Sequence, residues 1–176
     1  MAPDLFGGET ADSVVDAKAL RARAMSNRRE PAYRFLMRKL DELGAHAAVD
    51  PDRLGVLGVS MGGHWAFWLA QRPELPIAAT VTFYACRNAD YSATRSSFLC
   101  HFADNDPWVS EAGKRKLRRS FEREGVDATI HEYPGTGHWF FESDRPEAYR
   151  RVAARRAWSR TLDFLGERLG SAPYGR

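Results

Sequence analysis

The stretch Gly58-Val59-Ser60-Met61-Gly62-Gly63 follows the apolar run Leu54-Gly55-Val56-Leu57 and precedes a second apolar segment, Trp65 to Ala70. This order reads as strand, tight turn, helix, and it restricts the fold more than any other feature of the chain. A Gly-x-Ser-x-Gly turn at such a junction holds its serine on a sharp, strained corner with the hydroxyl pushed outward. The neighbouring positions stay small to avoid collision. Ser60 is therefore a candidate nucleophile. Gly/Ser-rich turns between strands and helices recur by chance, so the assignment needs partners elsewhere in the chain.

The flanking segments supply a frame for those partners. Asp50-Pro51-Asp52 is a turn signal ahead of the strand Leu54 to Val59, and the helix after the serine turn runs to about Gln71, before Pro73. Ile77 to Ala85 and Ser97 to Ala103 read as buried strands, the second ending in the polar loop Asp104-Asn105-Asp106-Pro107. Glu111 to Glu124 reads as a helix closed by Gly125, and Ala128 to Tyr133 as a short strand stopped by Pro134-Gly135.

Upstream, Asp12 or Ser13 can cap a helix to about Met25 with Val15, Ala19 and Ala22 at helical spacing. A second helix starts near Pro31, repeats Phe35, Leu36, Leu40 and Leu43 on one face, and ends at Gly44. The last helix has Asp144 and Glu147 spaced as a capping box, Pro146 in its first turn, and a stripe of Tyr149, Val152, Leu162, Leu165 and Leu169. Near-continuously apolar strands alternating with helices predict an α/β fold, a three-layer α/β/α sandwich with a mostly parallel sheet. With 176 residues, 44% of them hydrophobic, the chain has material for one core. A single domain over residues 1–170 with a flexible tail at 171–176 is expected.

Charge and cysteines narrow the class. A net charge of +3 comes from arginines interleaved with acids, and the densest run, Lys114-Arg115-Lys116-Leu117-Arg118-Arg119, is followed by Glu122 and Glu124. That is a solvated helix face, so no nucleic-acid partner is expected. Cys86 and Cys100 lie in or beside apolar segments and make no disulfide framework. Met1 to Thr10 lacks a basic region followed by an apolar core, and no apolar run approaches the length of a membrane span. A cytoplasmic protein without a membrane partner is expected.

In a parallel sheet the ligand lies beyond the carboxyl ends of the strands, so the informative residues are those just past each strand end. There stand Ser60, then Asp104 and Asp106, then His138 in Gly135-Thr136-Gly137-His138. A serine hydroxyl needs a base within hydrogen-bond reach, and the base needs a carboxylate to fix its tautomer. Chain order Ser, Asp, His is that of the α/β-hydrolase arrangement. Both aspartates are open as the acid. His46, His64, His101 and His131 lie on helices, strands or connecting loops. The backbone N–H of Met61, just after the serine, is an oxyanion-hole donor in this arrangement. Trp65, Phe67 and Trp68 read as core. Trp108, Trp139 and Phe140 flank the active loops and are expected to line an apolar acyl or alcohol pocket. Neither metal nor cofactor is implied.

Three segments carry a family resemblance: Gly58 to Gly63, His101 to Val109, and Tyr133 to His138 with Phe140-Phe141. Together they look like the motif regions of the dienelactone hydrolase family, and Arg145-Pro146, Ala148-Tyr149 and Ala2 to Gly8 extend the likeness over essentially the whole chain. The resemblance implies the α/β-hydrolase fold and selects Asp106, the aspartate before a Pro/aromatic-Val stretch, as the acid. It implies cleavage of a small-molecule carboxylic ester or lactone through an acyl-enzyme.

Departures from the family pattern carry their own expectations. The namesake enzymes use cysteine where Ser60 stands, and they place an arginine for the substrate carboxylate where Glu142 stands. Repulsion between carboxylates then makes dienelactone itself a poor substrate. The family's early strands and the loop giving the second oxyanion donor have no counterpart before Ala2, so the domain is read as N-terminally truncated. Met1 is then either internal to a longer protein, or the short form covers its exposed sheet edge as a homo-oligomer. A weakly active or non-catalytic relative, acting as a small-ligand binding or oligomeric protein, is the alternative function.

Overall fold

The computed structural model describes residues 1–26 and 32–170. The chain forms two compact units, Met1–Pro51 and the part beginning at Asp52. Two expectations, Pro31 in a first helical turn and the tail 171–176, lie outside the described residues.

The first unit holds helices α1 (Val14–Ser26) and α2 (Ala32–Gly44). Ser13 caps α1, its Oγ accepting from the Asp16 N–H at 3.1 Å. Val15, placed on the expected apolar stripe, is exposed, and Leu20 is buried. In α2 the buried positions are Ala32 and Leu36, and Gly44 ends the helix as expected.

The second unit holds β1 (Leu54–Val59), α3 (Met61–Ala70), β2 (Ile77–Phe83), β3 (Ser97–Asn105), α4 (Glu111–Glu124), β4 (Ala128–Gly137) and α5 (Arg151–Leu169). The four strands form one sheet in the order β1-β2-β3-β4, every neighbouring pair parallel. This is the predicted α/β architecture, with β1 and β4 at the two edges.

Side chains alternate across the sheet and so define its two faces. On one face Phe98 packs against Phe67 of α3 and Phe121 of α4, at 5.9 and 4.9 Å between ring centroids. On the other, Ala79, Val81, Leu99 and Ala103 share a core cluster with Ala157 and Phe164 of α5. Each buried phenylalanine contributes roughly 1.5–3 kcal/mol. Three layers result.

Two elements differ from expectation. β4 continues through Pro134-Gly135 to Gly137, because the edge position leaves the proline without a ladder bond to donate and a register shift beyond Ala103 accommodates the bend. The helix expected from Asp144 begins only at Arg151. Arg145 to Tyr149 instead form turns, and the Arg150 N–H is tied to the Phe140 carbonyl at 2.9 Å. The face of α5 toward the sheet is also rotated from the large-residue stripe: Val152 and Leu162 are exposed, while Ala154, Ala157, Thr161 and Phe164 are buried. Small residues let α5 sit close to the strands.

Two buried polar side chains at the sheet, His101 and Lys114, are each paired more than once. His101 is fully buried, its Nδ1 2.8 Å from the Tyr133 hydroxyl and its Nε2 3.1 Å from Thr161 Oγ1. Lys114, also fully buried, donates to the Ala103 carbonyl at 2.7 Å and to Glu132 at 2.9 Å. Burial alone would lower its pKa, but hydrogen bonds to Glu111 and Glu132 hold it above the ordinary value.

Burial, with the charges of His131 and Arg160, pushes the His101 pKa down to about 3. The unfolded chain therefore takes up a proton below pH 6.5 that the folded chain refuses, and stability falls as pH drops toward 3. At pH 5 this costs about 2 kcal/mol. His131, stacked on His101 and also depressed by burial, acts in the same direction. Urea unfolding at pH 7.5 and pH 5 should show His101→Gln losing about 2 kcal/mol less on acidification than the native chain. Equal losses would exclude His101 as the titrating group.

Candidate active site

Parallel pairing sets which residues meet at the carboxyl edge. The last register pair of β1 and β2 is Val59↔Phe83, and that of β3 and β4 is Asn105↔Gly137. Ser60, Tyr84, Asp106 and His138 each stand one residue beyond these pairs. The Ser60 N–H still donates to the Phe83 carbonyl at 3.0 Å, and the Tyr84 N–H to the His101 carbonyl at 2.7 Å, so both are anchored to the sheet.

Ser60 has φ 52° and ψ −115°, a conformation rarely adopted by residues with a side chain. Space explains how it survives. A Cβ on Gly58 would lie 2.4 Å from the Gly62 carbonyl oxygen, and one on Gly63 would lie 2.4 Å from Ala85 Cβ. Gly62, the second glycine of the Gly-x-Ser-x-Gly turn, has open space around it. The crowding thus falls on Gly58 and Gly63.

The corner presents Ser60 Oγ 2.9 Å from His138 Nε2. On the other side of the ring, His138 Nδ1 lies 2.8 and 2.9 Å from the two carboxylate oxygens of Asp106. Asp106 Oδ1 also accepts from the backbone N–H groups of Trp108 at 2.8 Å and Val109 at 3.1 Å, and its carboxylate is fully buried. A carboxylate accepts only, so Nδ1 carries the proton and Nε2 is left as the acceptor toward the serine hydroxyl. The arrangement can take a proton from Ser60. Asp104 faces elsewhere, accepting from the Gly135 N–H at 3.1 Å and tying β3 to β4.

Met61 opens α3, where backbone N–H groups have no intrahelical acceptor. Trp108 and Trp139 both lie beside His138, at 6.2 and 5.1 Å between centroids, and Trp108 is exposed. Phe140 is not a lining residue. It is fully buried against Phe83, Tyr84 and Tyr133, because the Trp139 backbone, at φ 68°, turns the next side chain into the core. Of the helix aromatics, Phe67 is core as expected, while Trp65 and Trp68 are only half-buried.

Sequence reasoning missed Tyr84. It is 1% exposed, its ring lies 4.5 Å from that of His138, and its hydroxyl donates to Glu142 Oε1 at 2.7 Å. Burial, then the Glu142 contact, raises its pKa well above the usual tyrosine value. Its place immediately after a strand, matching that of Ser60, is the signal that could have found it. Glu142 is also not the bare carboxylate expected: its Oε2 accepts from Arg145 Nε at 2.8 Å. Burial pushes the thiols of Cys86 and Cys100 up to about 12, so neither is a ready thiolate.

The model of the dienelactone hydrolase family matches residues 1–169. The chain belongs to the dienelactone hydrolase family. That membership places it among hydrolases of the α/β-hydrolase fold. Within the family it is similar to a protein of Bradyrhizobium sp named probable 2-oxo-3-(5-oxofuran-2-ylidene)propanoate lactonase, 29% identical over 93% of this chain and 66% of the relative. It is likewise similar to the carboxymethylenebutenolidase of Rhodococcus opacus, 27% identical over 97% of this chain and 71% of the relative. Among solved structures, a dienelactone hydrolase-like promiscuous phosphotriesterase from metagenomic libraries superposes with a TM-score of 0.80 at 22% identity, covering 96% of this chain and 74% of that one. At that identity the likeness bears on fold alone. The chain spans about two thirds to three quarters of the length of these three proteins.

The crowding pattern separates the three glycines of this dienelactone hydrolase-family turn. In urea unfolding, Gly58→Ala should cost about 3 kcal/mol, since its Cβ meets backbone that cannot swing aside. Gly62→Ala should stay within about 0.5 kcal/mol of the native chain. Similar costs at both positions would refute the steric account.

Proposed function

We propose that the chain is a serine hydrolase that cleaves a carboxylic ester or lactone through an acyl-enzyme. The observation that carries this reading is the continuous hydrogen-bonded path from Ser60 Oγ through His138 to the buried Asp106. In the first step Ser60 Oγ attacks the carbonyl carbon while His138 Nε2 takes its proton, and the carbonyl π electrons move to oxygen. The Met61 N–H is the proposed donor to that oxyanion. Collapse of the tetrahedral species expels the alkoxide, which receives the proton from His138. Water then repeats the sequence on the acyl-serine, restoring Ser60 and releasing the acid.

Asp106 holds the imidazole in the tautomer this needs and stabilises the imidazolium that forms. Exposed Trp108 and half-buried Trp139 offer apolar surface beside the base for an acyl or alcohol group. The names of the lactonase and carboxymethylenebutenolidase relatives support a lactone as one substrate class. No described helix is long and apolar enough to cross a membrane. Both cysteines are free, which supports a reducing, cytoplasmic setting.

Turnover of a short-chain p-nitrophenyl ester should fall about 10^4-fold or more in Ser60→Ala, and comparably in His138→Ala. A fluorophosphonate probe should label the native chain and not Ser60→Ala. Equal ester turnover by the native chain and Ser60→Ala would sink the reading. Trp108→Ala should raise KM for longer acyl chains more than it lowers kcat, because it removes uniform binding surface.

A further inference from the structure

Three aromatic rings neighbour the His138 imidazole, and two of them, Tyr84 and Trp139, stand on backbone that side-chain-bearing residues rarely adopt. Tyr84 has φ 37° and its ring lies 4.5 Å from the imidazole; Trp139 has φ 68° and meets it edge-on at 5.1 Å. Such conformations persist only where the surroundings enforce them. Side-chain contacts from both rings converge on a single carboxylate. The Tyr84 hydroxyl donates to Glu142 Oε1 at 2.7 Å, Arg145 Nε donates to Glu142 Oε2 at 2.8 Å, and the Arg145 guanidinium lies 4.7 Å over the Trp139 ring. The contacts form a closed circuit, from His138 through Tyr84, Glu142, Arg145 and Trp139 back to His138.

We propose that Glu142 is a positioning residue for His138, acting through the Tyr84 hydroxyl on one side and through Arg145 and Trp139 on the other. Asp106 and Ser60 engage the two ring nitrogens and so fix the imidazole within its own plane. They leave its tilt to the neighbouring rings. A base that must take a proton from the serine and deliver it to a leaving group works only while both distances hold. Glu142 supplies that restraint by tying the outer end of the Tyr84 ring and, through Arg145, the face of the Trp139 ring. A bland Glu142–Arg145 surface pair would account for one carboxylate oxygen and not for the other, which takes the hydroxyl of a buried tyrosine. Burial and Glu142 together keep that phenol protonated, so it remains a donor. Asp106, Glu142 and Arg145 are the charged groups in this neighbourhood, and Arg145 offsets the charge of Glu142.

The role rests on His138 being the base of the proposed reaction, and the experiment separates the two claims. The full-length chain is compared with Tyr84→Phe, Glu142→Ala and Glu142→Gln by p-nitrophenyl ester kinetics, and by the low-field NMR resonance of the His138 Nδ1 proton. Glu142→Ala and Tyr84→Phe should lower kcat about ten-fold or more, leave KM within about two-fold, and broaden that resonance by faster solvent exchange. Glu142→Gln keeps an oxygen for the Tyr84 hydroxyl and should recover part of both. Native kcat and a native resonance in Glu142→Ala and Tyr84→Phe would overturn the proposal, as would equal defects in the Gln and Ala variants. Should native turnover prove independent of Ser60, the hydrolase reading falls, and the proton resonance alone decides whether Glu142 holds the imidazole.

Discussion

The last rung of a parallel sheet is the constraint on which the rest of the site depends. Because β1 to β4 all run the same way, their carboxyl ends form one edge, and the residue after each final pair begins a loop at that edge. Val59↔Phe83 and Asn105↔Gly137 are those pairs, so Ser60, Tyr84, Asp106 and His138 are delivered together by backbone hydrogen bonding before any side chain is considered. What the side chains add is clearance and orientation. Ser60 can turn its hydroxyl toward His138 because neither Gly58 nor Gly63 carries a Cβ, and the buried Asp106 carboxylate has its oxygens satisfied by two backbone N–H groups and the imidazole.

That dependence explains what could be read in the sequence. The runs Ile77 to Phe83 and Ser97 to Ala103 are buried and their composition marks them as strands, Leu54 to Val59 is marked by its apolar run although Leu57 is exposed at the sheet edge, and α4 is delimited by Ser110 and Gly125, whose capping roles are local. From those elements the topology follows, and with it the meeting of Ser60, Asp106 and His138 at one sheet edge. Where burial and composition part company, sequence reading erred. β4 is half-exposed and carries a proline, so its true end four residues later was not visible. On α5 the large apolar residues Val152 and Leu162 point away from the sheet that alanines and Thr161 approach. The capping-box spacing at Asp144 and Glu147 failed because the Phe140 carbonyl holds Arg150 extended, a contact between residues ten apart that local pattern cannot encode.

Within the site the same division holds. Ser60, Asp106 and His138 belong to motifs with recognisable neighbours, whereas Tyr84 follows an ordinary β strand, and only its place at the strand end marks it. Its partner Glu142 lies 58 residues away and its other neighbour, His138, 54 residues away; only the fold unites them. Phe140 went the other way. Its nearness to His138 in the chain suggested a pocket wall, but a positive φ at Trp139 sends adjacent side chains to opposite environments, one beside the base and one into the core.

The two carboxylates near His138 therefore differ in kind, although both are single residues a few positions from a strand end. Asp106 is buried, held by neutral N–H donors, and faces a ring nitrogen, so its charge is spent on the imidazole. Glu142 is partly exposed and already paired with Arg145, so little of its charge is left for a substrate, and the repulsion of an anionic ligand expected from its position is offset by the guanidinium three residues on. The pairing leaves Glu142 as an acceptor in a fixed place, suited to anchoring a buried phenol against the His138 imidazole. The position at which the family resemblance leads one to expect a cation thus holds a carboxylate with a cation beside it, Arg145, whose guanidinium lies 4.7 Å over the Trp139 ring.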